Sequence, residues 1–388
     1  MRNKKREVAG GWLCAGILFA LTFLMVKIEM EKGYEVLLYS DFATHSSWAV
    51  GEFTDPLYDK FYAYPIWHFA VYLGNCLLPI GREYAGAVVT ACFIGGCALI
   101  LYRFFDRELK KCLSKRRICL LTIGIMMLTA LYMPWFNREV YLGQSSPTIW
   151  HNPTNMAVKP VALLAFLWFL RLYKNWQRIR WMEFAGLSGL LLLSCFIKPS
   201  FVQGFLPGVV LFLLLELFLT KGKSLLFSLK MALVFIPSGI YFLVQFFSMF
   251  GSGAERSMGI SPFTVMRFDT AHPLISILQA AAFPLFVIGI TGRRRIFKDK
   301  ELLFSLIFYL VSLLEFVLLI EVTEPESGNF EWALQLALFA FFAVAAVRFY
   351  QKKDKKSWMT YVGKRLLFYH MASGIYYYIY LMISPLQC

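Results

Sequence analysis

Charge is scarce in this chain, and its polar stretches are short. Asp, Glu, Lys and Arg make up 16% of the 388 residues, against about 25% in an ordinary soluble domain. A single water-soluble domain of this length is thereby excluded, and no interval between the apolar runs is long enough to form one. No internal repeat is visible at the periods of about 20–50 residues that mark solenoids and arrays. The eight cysteines show no CxxC or Cys/His spacing. That pattern speaks against a zinc or disulfide framework, so they read as packing residues and no metal ligand is assigned from the sequence.

What the chain has in excess is apolar surface: 59% of residues are hydrophobic and 18% aromatic. This is the composition of an integral membrane protein. The formal net charge of +15 does not indicate a nucleic-acid partner, because the basic residues fall in short clusters between apolar runs rather than along one soluble face. The N-terminal MRNKKREVAGGWLCAGILFALTFLMVK has a basic flank and a long apolar stretch without a small-residue cleavage site. It is expected to be an uncleaved anchor.

Apolar stretches long enough to cross a bilayer occur near 10–27, 85–102, 118–134, 158–172, 182–196, 201–219, 231–249, 275–291, 302–320, 332–349 and 366–385, eleven in all. A twelfth, AYPIWHFAVYLGNCLLPIG at 63–81, is ambiguous. Charge resolves it. Lys and Arg concentrate in six segments, 1–9, 103–117, 171–180, 221–230, 292–300 and 351–365, which together hold 29 of the 39 basic residues. All six fall on the cytoplasmic side if 63–81 does not cross. That segment is therefore expected to be a juxtamembrane or re-entrant helix with Tyr62, Tyr64 and Trp67 at the interface. The fold expected is all-α: one helical transmembrane domain over 1–388, with a cytoplasmic N-terminus and an outer C-terminus, in the cell membrane.

On this topology the outer face comprises a long loop at 28–84, a second at 135–157, a link around Lys198, a loop at 250–274 and an acidic one at 321–331. Four of the five histidines and 15 of the 24 acids lie there. Such one-sided enrichment points to a polar cavity. In the first loop Asp41 and His45 are four residues apart and share a face if helical; a carboxylate at a low-dielectric boundary with an imidazole in reach serves as a general base. A helix cap at Ser40 or Asp41 is the plainer reading. Glu52 and Asp55 are further acids of this loop. The second loop offers Gly143, Gln144, Ser145, Ser146, His151, Asn152, Thr154 and Asn155 to sugar hydroxyls, with Trp135 and Trp150 for stacking. Lys159 and Lys198, each next to a proline at an outer helix end, snorkel to lipid headgroups or, with Arg256 and Arg267, hold a phosphate. Glu315 lies within an apolar run, where a charge is costly unless paired or facing a cavity.

The order of basic anchor, long outer loop with an early aspartate, YPIWHFAVYLGNCLLPIG, then REYAGAVVTACFIGGCALILYRFF resembles the opening of GT-C type membrane glycosyltransferases over roughly the first 110 residues. The resemblance implies transfer of a sugar from a polyprenyl-phosphate-linked donor to a saccharide or lipid acceptor at the outer face, as in cell-envelope polysaccharide or glycolipid synthesis. Asp41 would then be the catalytic base with His45 beside it. Glu52, Asp55, His151, Asn152, Lys159, Lys198 and Arg267 would bind substrate. Phe42 follows Asp41, so the adjacent acid pair of several branches is missing; the base stays open between Asp41, Glu52 and Asp55, and a divalent metal stays possible. The rival readings are a secondary transporter or lipid-linked saccharide flippase, and an outer-face polysaccharide polymerase or acyltransferase.

Overall fold

The computed structural model describes residues 2–35, 40–49, 51, 63–78, 80–136, 145–178, 180–251, 256–353 and 356–384. In chain order its helices are α1 (Arg2–Glu35), α2 (Asp41–Ala49), α3 (Ile66–Leu77), α4 (Arg82–Leu109), α5 (Lys115–Met127), α6 (Pro153–Asn175), α7 (Trp181–Ile197), α8 (Ser200–Leu219), α9 (Leu225–Phe250), α10 (Thr264–Asp269), α11 (Pro273–Thr291), α12 (Arg293–Ile296), α13 (Lys300–Leu318), α14 (Glu331–Gln351) and α15 (Ser357–Ile383). Two three-residue strands, β1 (Met258–Ile260) and β2 (Leu319–Glu321), pair antiparallel and clasp two loops together.

Each apolar run forms a helix because lipid offers the backbone no hydrogen-bond partner and a helix satisfies its own. Among the described helices, nine are long and apolar enough to cross a membrane. Two runs read as crossings are shorter: α7 has 17 residues and α5 only 13. Helix α14, with the Ala- and Phe-rich sequence EWALQLALFAFFAVAAVRFYQ, is the centre of the bundle. In it 94% of the spanning window is buried, as expected for a helix that is apolar all round.

The six basic segments share one end of this bundle. Cys119 Sγ lies 3.8 Å from the Gly10 carbonyl, which joins the start of α1 to α5. Gln351 donates to the Glu108 carbonyl at 3.0 Å, and Arg348 pairs with Asp299 and Glu301 at 2.5 and 2.6 Å. Lys300 and Tyr173 both reach Glu216, and Lys230 lies over Trp176 and Phe184. These links connect all six. At the other end, Lys32 donates to the carbonyls of Leu381 and Ser384.

Helix α3 has 12 residues, a length of about 18 Å and too short to span. It presents Phe69, Tyr72 and Leu77 outward and buries Trp67, His68 and Val71. Trp67 is therefore not an interfacial anchor: it is fully buried and donates to Thr90 at 3.1 Å. Tyr62 lies outside the described residues.

The run expected to be helical through 134 leaves the helix at Met127. Residues 128–131 are buried but not helical, and side chains and neighbouring backbone take over their hydrogen bonds. The Thr129 N–H donates to the His370 carbonyl, and His370 Nδ1–H donates to the Thr129 carbonyl at 2.7 Å. The Leu131 N–H donates to the Gln279 carbonyl, and the Tyr132 N–H to Ser373. His370 Nε2 accepts from the Phe283 N–H at 3.3 Å, which fixes the neutral tautomer. His370, at the middle of α15, is thus a staple of three segments.

The non-helical turn fits only because Gly374 of α15 faces it. A Cβ there would fall inside the Met127 carbonyl oxygen, a backbone atom that has no rotamer to escape into. Gly374→Ala should lower stability by about 1–3 kcal/mol, the cost of overpacking a tight contact. Thermal unfolding in detergent measures this, and an unchanged midpoint would show that the turn is loosely held.

Candidate functional site

The polar residues gather at the end of the bundle away from the basic segments. Their frame is an unusual stretch of chain: residues 145–150 are all buried yet form no helix. Ser146 accepts from the Ala130 N–H and donates to the Thr148 carbonyl, while Thr148 donates to the Met126 carbonyl. The stretch thus satisfies the frayed end of α5 and delivers His151 and Asn152 to the start of α6.

Asn152 is the N-cap of α6. Its Oδ1 accepts from the Asn155 N–H at 2.9 Å, from the Thr154 hydroxyl at 2.8 Å and from Lys198 Nζ at 3.1 Å. Its Nδ2 donates to Asp41 Oδ2 at 2.6 Å. One amide therefore joins a carboxylate to an ammonium. The local reason is ordinary: Asn followed by Pro at the first helical position is a strong helix start, because the amide oxygen satisfies an orphan N–H and proline needs none.

Asp41 is the first residue of α2, where the helix dipole favours a carboxylate. His151 Nε2 lies 3.6 Å from its Oδ1, and the Asp41 side chain is 39% exposed. Burial by itself raises the Asp41 carboxyl, but His151 and His45, with hydrogen bonds from His151 and Asn152, outweigh it. The group is held well below the usual carboxylate range. His45 sits one turn along α2 and is buried; its Nδ1 is 2.7 Å from Nε2 of His68 on α3. Burial, Lys198 and His151 push His45 down to about 4 despite Asp41. His68 is pushed down further by burial and by His45. The pair is a neutral couple, joined ring to ring by one hydrogen bond and walled by Trp48 and Trp67.

Lys198 is the C-cap of α7 and 8% exposed. It also touches Thr154 at 3.3 Å and lies 5.1 Å from the centre of the Trp332 ring, on which His151 stacks. Burial lowers its ammonium to about 8, with Asp41 opposing the shift. Lys198, Tyr64 and Trp332 edge a cavity of about 330 Å³ whose far wall is Phe242, Phe246 and Phe250 of α9. Glu315, Gln203, Gln245 and Ser200 also line it. Glu315 is thus one turn from the end of α13 and faces this cavity, with Gln203 at 3.4 Å. Asp41 is not a lining residue and connects to the cavity through Asn152 and Lys198.

The structure brings Asp41, His45, His151, Asn152 and Lys198 together, but not every residue assigned from the sequence. Lys159 is buried about two turns further into α6, donates to the Pro147 carbonyl at 3.3 Å and lies 4.5 Å from the Phe339 ring centre. It holds the buried stretch, not a phosphate beside Lys198. Arg256 pairs with Glu321 and Glu324 at 3.1 and 3.2 Å. Arg267 is exposed on α10 and makes no contact with the cluster among the described residues. Glu52, Asp55, Gly143 and Gln144 lie outside the described residues. Sequence reasoning missed three participants: His68 as the partner of His45, Trp332 as the ring between His151 and Lys198, and the Asn155–Gln335–Ser200 contacts behind the cap. Only His68 had a signal, its place among the outer histidines.

No protein-family model matches the chain, and a search of curated proteins gives no match. Among the described residues, no group of three or more His, Cys, Asp or Glu is arranged to hold a metal ion.

Between pH about 6.5 and about 4 an unfolded chain protonates its histidines while folded His45 stays neutral. Folded-state stability must therefore fall as pH drops through that window, by at most about 1.4 kcal/mol per pH unit per histidine. Wild type should melt at lower temperature at pH near 4.5 than at 7, and His45→Gln should show a smaller drop. Equal drops for both would mean that His45 is protonated at its ordinary pH in the folded protein.

Proposed function

We propose that this chain is a GT-C-like membrane glycosyltransferase that moves a sugar from a polyprenyl-phosphate-linked donor to an acceptor hydroxyl at the outer membrane face. The observation that carries the proposal is the coupling of an ionised carboxylate, Asp41, to a buried ammonium, Lys198, through one amide, beside a cavity with a polar mouth and a phenylalanine wall. The positive-inside rule supports the orientation, because the basic segments occupy the opposite end.

In this reading the acceptor oxygen attacks the anomeric carbon as the bond from that carbon to the phosphate oxygen breaks. The electron pair leaves with polyprenyl phosphate. The hydroxyl proton passes to Asp41, and the single displacement inverts the anomeric centre. Because Asp41 is a weak base, proton transfer comes late, once attack has made the hydroxyl acidic. Lys198 offsets the charge that develops on the leaving phosphate, an effect strong at a site shielded from water. Asn152 holds the two groups in register. The phenylalanine wall of α9 suits the first isoprene units, with the rest of the tail in lipid.

Membranes supplied with a radiolabelled polyprenyl-phosphate sugar should show transfer by wild type and a loss of at least about 10²-fold in Asp41→Asn. Undiminished transfer in Asp41→Asn at equal protein level removes the base assignment. No transfer with any donor, together with substrate uptake into vesicles, favours a transporter instead. Lys198 supplies a second test with a definite sign. Its cation is present below about 8 and lost above it, so kcat/KM should fall as pH rises through about 8. Lys198→Arg should move that limb upward, since guanidinium does not deprotonate in this range. A limb that stays in place assigns the titration to another group.

A further inference from the structure

At the basic end, α5 and α15 diverge to form a cleft of about 690 Å³, far from the Asp41 cluster. Its rim carries four cations, Arg117 of α5, Lys352 and Lys353 after α14, and Lys364 of α15. No acid is among the described lining residues, and Arg117, Lys353 and Lys364 take part in no ion pair among the described residues. Asp354 lies outside the described residues.

Below the rim the walls turn apolar. Arg117, Leu120, Leu121 and Gly124 lie on one face of α5 at helical spacing. Thr360, Lys364, Leu367, Phe368 and Met371 lie on one face of α15 in the same way. The cleft closes where Met371 packs against Gly124, so tightly that a Cβ at Gly124 would overlap its sulfur. From Arg117 to Gly124 is a rise of about 10 Å, room for a headgroup and the upper part of an acyl chain. Leu120 and Phe368 are 60% and 67% exposed, so the cleft opens sideways to lipid.

A second basic hollow at this end offers a contrast. It is lined by Lys300 and Arg348, which Glu216, Asp299 and Glu301 neutralise at 2.5–2.6 Å, and by Lys174, Arg295 and Lys298. Asp299 and Glu301 are among its own described lining residues, whereas the described lining of the α5–α15 cleft holds cations and no acid.

We propose that this cleft is a binding site for an anionic phospholipid of the cytoplasmic leaflet, its phosphate between Arg117 and Lys364 and its acyl chain against Leu120 and Phe368. Juxtamembrane cations gain in this way from the negative surface of that leaflet. A bound lipid would bridge α5 and α15 at the point where α5 is too short to span, and so brace the non-helical turn after Met127.

The test is lipid titration of the purified full chain in neutral detergent, followed by native mass spectrometry and thermal unfolding. Wild type should retain phosphatidylglycerol and melt higher with it, but not with phosphatidylcholine. Arg117→Gln/Lys364→Gln should bind phosphatidylglycerol roughly thirtyfold more weakly, from about one kcal/mol per cation. Arg178→Gln/Arg180→Gln removes the same charge elsewhere at this end and should bind as wild type does. Arg117→Lys/Lys364→Arg should restore binding. Equal retention of phosphatidylcholine, or an equal loss in the two Gln doubles, overturns the proposal. Protection by inorganic phosphate equal to that by phosphatidylglycerol also overturns it and indicates a soluble anion. Should the Arg117/Lys364 double fail to fold, Leu120→Gln, which keeps every cation, must still weaken retention of the lipid.

Discussion

The amide of Asn152 is the constraint on which the end of the molecule away from the basic segments depends. It uses both sides of its side chain, donating to Asp41 and accepting from the α6 backbone, Thr154 and Lys198. A residue that merely capped the helix would leave the carboxylate and the ammonium without a link. An apolar replacement would leave a buried lysine beside an orphan hydroxyl, and truncating one member of such a group costs more than the group nets. The same side chain thus sets where α6 begins and how far apart the two charges lie.

Asn152 reaches that position because the chain before it is buried without being helical. Within a membrane protein such backbone is tolerated only where protein encloses it. Here His370, Ser146, Thr148 and the carbonyls of Met126 and Gln279 supply the partners. The short α5 and the buried loop are two sides of one arrangement: the helix stops early, and the returning loop fills the space and satisfies its end. Lys159, with its ammonium on the Pro147 carbonyl and near the Phe339 ring, belongs to this scaffold rather than to the Asp41–Asn152–Lys198 cluster.

Much of this was legible before any coordinates. The apolar runs gave the helices, and the 12-residue α3 agrees with the charge argument that 63–81 does not cross. Asp41 and His45 do lie on one helix. The sequence could not distinguish VKP from IKP: Lys159 lies within a helix while Lys198 caps one, and only the cap is free to turn toward Asp41. Nor could spacing show that Arg256 is spent on Glu321 and Glu324, residues 65 and 68 positions away. Glu315, placed by hydropathy deep in an apolar run, is one turn from a helix end because β2 begins at Leu319. His45 and His68 are 23 residues apart on separate short helices, a pairing no local pattern encodes.

The sequence by itself determined the class of molecule, the places where helices form and the separation of its charges, because each follows from local hydropathy and from the cost of exposing a peptide group to lipid. Tertiary structure alone decided which polar groups meet. Contacts between residues distant in the chain depend on helix register, on where a helix stops short and on which partner claims a charge first. None of these is a property of any single segment.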